Sequence, residues 1–311
     1  MAKLQFSLGP EQDGQRVSTL LRRHCHCSAR LMKQLKYLPD GILLDGQRVF
    51  LDHRVAAGQT LTLHLPPDPP SDLEPVEHPL DLPFEDEHLL IVNKPPFVPV
   101  HPGPGHHGDS LGNFLAWHYQ AHGEHHTYRP VNRLDRSTSG LLCVAKHAYA
   151  QERLKTQLHS CQFHRRYLAL CDGVVEPERG TLRGPIGRAE GSVLKREVRP
   201  DGAPAVTRYR RLWTDGVRSL VLLELETGRT HQVRVHLSHL GFPLTGDFLY
   251  GREQPGLISR TALHSCFLSL LHPVTGVPLT CCAPLPEDMA ALVPQAFRSH
   301  SDTALLEVTP P

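Results

Sequence analysis

The chain reads as an α+β protein: a mixed, mostly antiparallel sheet domain preceded by a small α+β domain. Three observations predict this. An acidic, proline-rich stretch, "LPPDPPSDLEPVEHPLDLP" (Leu65 to Pro83), can form neither a ladder nor a long helix, so it divides the chain. Beyond it, apolar runs of strand length are interspersed with isolated helical segments. No glycine-rich phosphate cradle accompanies those strands, which argues against a doubly wound nucleotide fold. The expected layout is a first domain over residues 1–66, a linker over 67–83, a large domain over 84–298 and a loosely ordered tail over 299–311. A chain of 311 residues, 40% of them hydrophobic, is long enough for one large core with a small one attached.

In the first domain, "VSTLLRRHCHCSARLMKQLKY" places Val17, Leu20, Leu21, Leu31 and Leu35 at near-helical spacing, broken near Ser28, which can cap a second helix. "GILLDGQRVFLDHRVAAGQTLTLHL" follows with a DG turn between two apolar runs, then alternation over Thr60 to Leu65: a hairpin and a strand. The large domain opens with an apolar strand, Leu89 to Val92, ending in Asn-Lys-Pro-Pro, so that Lys94 is presented at a strand end. Gly140 to Lys146 reads as a buried strand, and "AYAQERLKTQLHS" as a helix with Ala150, Leu154 and Leu158 four apart. "HRRYLALCDGVV" is a strand in which Tyr167 and Ala169 alternate with Leu168 and Leu170, and Arg218 to Thr227 is another. For "TGRTHQVRVHLSHLG" two readings compete. Thr230 can cap a helix carrying Val233, Leu237 and Leu240 with Gly241 as its stop, or Val233, Val235 and Leu237 can alternate along a strand.

Composition narrows the function. No apolar run approaches the roughly 20 residues of a membrane span, and the start of the chain lacks the apolar core of a secretory signal. A cytoplasmic protein is expected, and a monomer. Eight cysteines show no C-x-x-C pair and read as reduced thiols. The 22 histidines and the "HCHC" string at His24 to Cys27 have no matching second pair of ligands, so no metal site is expected. Net charge is near zero but unevenly spread. Asp68 to Glu87 holds eight acidic residues and no Lys or Arg. Residues 16–54 carry Arg16, Arg22, Arg23, Arg30, Lys33, Lys36, Arg48 and Arg54 against three aspartates, and residues 129–166 carry eight basic residues against Asp135 and Glu152. Two basic segments separated by an acidic one suit a polyanion held by two surfaces.

Chemistry concentrates in two strings. In "RPVNRLDRSTSGLLCVAKH" Asp135 lies between Arg133 and Arg136, ahead of a turn-forming Ser-Thr-Ser-Gly. Such a carboxylate can be a nucleophile, a metal ligand or a salt bridge at a turn. In "LELETGRTHQVRVHLSHLGFPLTGDFLYG" the helical reading puts Arg234 one turn after His231, where a planar guanidinium suits a carboxylate.

The blocks "NRLDRSTSGLLCVAK", "RRYLALCDG", "TGRTHQVRVHLSHLGFPLTGD..YG" and "LHSCFLSLLHPVTG…APLP", in that order between Phe84 and Leu285, resemble the RluA-type RNA pseudouridine synthases. The helix pair with "LLDGQRV…AAGQTLTL" resembles the S4 RNA-binding domain, an attachment frequent in that family. The resemblance implies the pseudouridine synthase fold, structured RNA (ribosomal or transfer) rather than DNA as partner, and no cofactor. It implies that Asp135 is the catalytic carboxylate, that Arg133 occupies the space left by an extruded base, that Tyr167 lies against the target uracil and serves the chemistry, and that Arg234 partners the carboxylate. Arg22, Arg23, Arg30 and Lys33 become RNA contacts of the S4-like domain. Three departures stand out: Asn132 where the family often has His, Arg166 where it usually has lysine before the tyrosine, and Pro96-Phe97 where it commonly has a small residue and glycine. Two other function classes remain: an RNA-binding protein whose synthase domain no longer turns over, and a glycosidase or nucleosidase with Asp247 as a second carboxylate.

Overall fold

The computed structural model describes residues 2–298 except Pro70, Pro104 and Cys161; the expected tail over 299–311 lies outside the described residues. The small N-terminal unit comprises β1 (Lys3–Ser7), α1 (Val17–Arg23), α2 (Ala29–Tyr37), β2 (Ile42–Leu44), β3 (Gln47–Arg48) and β4 (Thr60–His64). Its sheet runs β1-β4-β2-β3, all antiparallel. Ser28 caps α2 by accepting the Leu31 N–H at 3.3 Å. The β2–β3 hairpin turns on Asp45 and Gly46, both left-handed (φ 49° and 81°), as a two-residue primed turn requires. The strand β1 is too short and mixed for periodicity to have revealed it.

The large unit contains β5 (Phe84–Glu85), β6 (Leu89–Lys94), α3 (Leu111–Ala121), β7 (Ser139–Ala145), α4 (Ala148–His159), β8 (His164–Asp172), β9 (Arg179–Leu182), β10 (Ile186–Arg188), β11 (Arg196–Val198), β12 (Thr207–Thr214), β13 (Arg218–Leu225), α5 (Gln232–His239), β14 (Leu263–Leu271), β15 (Pro278–Cys282) and α6 (Glu287–Ala290). A nine-stranded sheet runs β5-β6-β7-β14-β8-β13-β12-β9, with β15 also on β14; β10 and β11 form a separate hairpin. The β7–β14 pair is parallel and the sheet's other pairs are antiparallel. The expected α+β class with a mixed, mostly antiparallel sheet is therefore the observed one.

Period-two side-chain alternation sorts the core. On β8, Tyr167, Ala169 and Cys171 join Leu142, Val144, Val221 and Leu223 in one cluster with Leu111 and Leu115 of α3 and Val233 and Leu237 of α5. Leu168 and Leu170 turn instead toward Leu220, Leu222, Ile258 and Met289. A third cluster packs Leu141, Cys143 and Ala145 against Ala150 and Leu154 of α4. Each fully buried Leu contributes about 1.5–3 kcal/mol of transfer free energy, so a strand covered on both faces is the stiffest available support for a site.

Gly140 makes the parallel pairing possible. It has φ 107°, and a Cβ there would lie 2.2 Å from the Ser265 carbonyl oxygen. Two expectations need amendment. The segment Gln232–His239 is helical, but its N-cap is His231, in the left-handed region at φ 59°, and not Thr230. His231 makes no side-chain capping bond, and Gln232 instead ties down the preceding loop: its side-chain oxygen accepts the Arg229 N–H (3.0 Å) and the Thr227 hydroxyl (2.8 Å). The acidic segment after residue 66 is extended, yet it does not swing free. Asp68 grips Arg129 through both oxygens (2.5 and 2.6 Å), Asn113 donates to the Glu74 carbonyl (2.8 Å), and Leu80 and Leu82 pack on the main core.

The small unit is also tied down. Tyr149 of α4 inserts into its core beside Val17, Leu21 and Leu35, and donates its hydroxyl to the Cys25 carbonyl at 2.7 Å. Cys25 and Cys27 are buried in that core, where burial pushes both thiols up, Cys27 to about 12. These are packed, inert thiols.

Candidate active site

Asp135 stands on a tight turn at the entrance to β7. The Thr138 N–H closes the turn on the Asp135 carbonyl at 3.0 Å. Two buried cations hold the next two carbonyls. Lys94, fully buried at the end of β6, donates to Arg136 O (3.3 Å), Pro95 O (2.8 Å) and Val98 O (2.9 Å). Arg260 donates to Ser137 O (3.1 Å), Thr261 O and Leu263 O, while its other nitrogens grip Asp288 at 2.6 and 2.9 Å. Burial, then Arg260, pulls Lys94 down to about 7, and its three carbonyls match the three N–H groups of an ammonium. Asn132 accepts the Cys143 N–H at 2.9 Å and pins the approach to the turn.

The carboxylate's cationic partner comes from elsewhere. Arg133 and Arg136 are exposed, and Arg136 Nε donates to Phe97 O at 3.0 Å. Arg234 of α5, buried, donates Nη1 to Asp135 Oδ2 at 3.2 Å. Its remaining face is clamped by Asp247, which has no exposed surface: Nε to Oδ2 at 2.7 Å and Nη2 to Oδ1 at 2.8 Å. Asp247 Oδ1 also accepts the Leu249 N–H at 3.0 Å and the Tyr250 N–H at 3.2 Å. Burial opposes the charge of Arg234, and the two carboxylates more than offset it, so its pKa is raised. The bidentate clamp fixes the guanidinium plane, which meets Asp135 with a single nitrogen and leaves that side chain 23% exposed.

His231 adds a second polar neighbour, its Nε2 3.9 Å from Asp135 Oδ2. Its Nδ1 is 2.9 Å from the Tyr250 hydroxyl, which accepts the Arg196 N–H from β11 at 2.8 Å. The Tyr250 ring lies 5.0 Å from the Arg234 guanidinium carbon. Burial lowers the His231 pKa against the opposing pull of Asp135, which favours the neutral ring. Tyr167 is 4% exposed and lines a recess with Asp135, Arg165, His231 and Arg234. Burial raises its pKa, with Arg165 opposing, so the phenol is protonated at neutral pH.

The structure thus brings Asp135, Tyr167 and Arg234 around one small recess, which Arg133 also lines, and Arg133, Asp135 and Arg234 further line a cleft of about 580 Å³ that Tyr167 does not reach. Arg22, Arg23, Arg30 and Lys33 are exposed on the small unit and do not line it. Sequence reasoning passed over Arg165. Arg166 faces the other side of β8, over the Phe267 ring at 4.6 Å, whereas Arg165 shares the Tyr167 face, is 5% exposed, donates Nη2 to Thr227 O at 3.3 Å, and has a buried Nε that finds no partner among the described residues. The i, i+2 relation to Tyr167 is the signal that identifies it. Among the described residues no group of three or more potential ligands is placed to hold a metal, and no helix is long and apolar enough to cross a membrane.

Comparison with known proteins accords with this geometry. Residues 88–239, which carry Asp135, Tyr167 and Arg234, match the family model for RNA pseudouridylate synthase. The chain is 40% identical to the uncharacterized RNA pseudouridine synthase YjbO of Bacillus subtilis, over 86% of its own length and 94% of that protein. It is 37% identical to the ribosomal large subunit pseudouridine synthase D of Escherichia coli K12, over 80% and 81%. Among solved structures, human RNA pseudouridylate synthase domain containing 1 superposes with a TM-score of 0.54 at 29% identity, covering 68% of this chain and 86% of that one. A continuous alignment of this extent, with the site inside it, leaves one conclusion: the chain belongs to the RNA pseudouridine synthases, a family of isomerases.

Proposed function

We propose that the protein converts specific uridines of structured ribosomal or transfer RNA into pseudouridine, with Asp135 as the catalytic carboxylate. The observation that carries this reading is the Asp247–Arg234–Asp135 array: a fully buried carboxylate fixes a guanidinium that presents a second, accessible carboxylate to a cleft. The isomerisation breaks N1–C1′, turns the freed uracil, joins C5 to C1′, and releases the C5 proton while N1 takes one up. Nothing is oxidised and no group is transferred in, so the chemistry asks for positioning and charge, and for no cofactor.

A stacked base cannot turn, so the target nucleotide is extruded at a cost of a few kcal/mol. Arg133 takes the vacated place while contacting phosphate, a role that its exposure at the cleft beside Asp135 supports. The Asp135 side chain, engaged by Arg234 through one oxygen, either attacks C1′ or removes a sugar proton. Tyr167 lies against the uracil, and Arg165, with its unpartnered Nε, offers a donor to a carbonyl of the detached base. The burial of Asp247 and its double grip on Arg234 disfavour a glycosidase, since a general acid must reach the leaving group. We also propose that residues 1–66 are an S4-like domain whose Arg22, Arg23, Arg30 and Lys33 hold RNA phosphates.

Tritium release tests the reaction. Ribosomal and transfer RNA labelled at uracil C5, from a strain lacking this protein, loses label to water when wild-type protein is added and not with Asp135→Asn. Free uracil in the products would indicate hydrolysis instead.

A further inference from the structure

The loop from Pro95 to Val100 carries a feature that the reaction at Asp135 does not use. Phe97 has φ 67°, a left-handed backbone that glycine adopts freely and a bulky side chain adopts only under strain. Its ring is 47% exposed, so burial does not offset that strain. The loop is nonetheless held at several points. Lys94 binds the carbonyls of Pro95 and Val98 on either side of it, Arg136 Nε donates to the Phe97 carbonyl at 3.0 Å, the Leu111 N–H to Pro99 O at 2.9 Å, and the Tyr128 hydroxyl to Val100 O at 2.9 Å. A rigid frame thus displays an aromatic ring on the wall of the cleft that contains Asp135, with exposed Arg133 and Arg136 lining the same wall. Arginines beside an exposed ring match a phosphate backbone and its bases, and fit an apolar protein segment poorly.

Resting on the RNA reading above, we propose that Phe97 is a nucleobase subsite: its ring stacks on an unpaired base flanking the uridine bound at Asp135. Every base has a π face, so the subsite sets which stretch of single strand seats in the cleft without hydrogen-bond readout. Holding the ring in advance removes an ordering cost that a flexible loop would incur on binding. One aromatic stack corresponds to about a fivefold to 150-fold change in affinity.

The test uses full-length protein, C5-tritiated ribosomal RNA from a strain lacking the protein, and retention of the same RNA on filters. Phe97→Gly should raise KM and the RNA dissociation constant about tenfold while leaving turnover at saturating RNA near wild type. Because it relieves the left-handed strain, the same variant should also melt at a higher temperature. Phe97→Trp and Phe97→Tyr should bind like wild type, and Phe97→Leu like the glycine variant. Unchanged affinity in Phe97→Gly overturns the proposal, and so does full retention by Phe97→Leu, which would mean apolar contact without stacking. If wild type releases no tritium from any RNA, the functional reading fails, and filter retention still decides the role of Phe97.

Discussion

At the scale of single residues, the site depends on a carboxylate that does not touch the cleft. Asp247 fixes Arg234 through two bonds, and Arg234 reaches Asp135 through one. Asp247→Asn would leave a buried guanidinium half paired. Breaking such a pair costs about 3–5 kcal/mol, so urea denaturation should show a loss of that size, with turnover falling together with stability. An unchanged midpoint would mean Asp247 is only a turn residue. The sequence pointed to Asp135 and Arg234, which meet at 3.2 Å, because each sits in a distinctive block. It concealed the role of Asp247, whose side chain meets an arginine thirteen positions back only once α5 and the following turn are folded. Arg165 was legible in principle, since strand alternation puts it with Tyr167, and its neighbour Arg166 drew attention away.

At the scale of elements, turns and caps place these groups. The turn after Asp135 is held from below by Lys94 and Arg260, which come from 42 and 123 residues away along the chain, and local patterns carry no trace of such props. Strand and helix identities were legible because the apolar period is clean on β7, β8, β13 and α4. The cap of α5 was misplaced because His231 adopts a left-handed conformation that its residue type does not announce. At the start of α4, His147 Nδ1 accepts the Ala150 N–H at 3.1 Å, and Nε2 lies 3.1 Å from His88 Nδ1. Burial, then His88, lowers the His147 pKa to about 3. The native state therefore keeps this ring neutral while the unfolded chain takes up a proton near pH 6.5. Stability should be unaffected above about pH 7 and should fall as pH drops through 6.5, by about 2 kcal/mol between pH 6.5 and 5. His147→Asn, whose amide oxygen can accept the same N–H, should lack that component when both are unfolded in urea at pH 7 and pH 5.

At the scale of the whole molecule, two units present basic side chains and an acidic strap runs between them. The shift in composition near residue 66 was legible. The strap's attachment through Asp68–Arg129, and the docking of Tyr149 into the small core, were not, because each pairs residues more than 60 apart. The small unit is docked, so on the proposed reading its exposed Arg22, Arg23, Arg30 and Lys33 join the cleft in one RNA-binding surface. Replacing all four by glutamine should reduce the slope of log affinity against log salt by about 3, while turnover at saturating RNA stays near wild type. An unchanged slope would remove these residues from the interface.

The most direct test of the central claim is a mass-shift map of pseudouridine, by cyanoethylation or carbodiimide labelling, on ribosomal and transfer RNA from a strain lacking this protein. The account predicts a missing site that is restored by wild-type protein and not by Asp135→Asn. Persistence of every pseudouridine in that strain, with none formed in vitro, would contradict it and leave an RNA-binding protein without turnover.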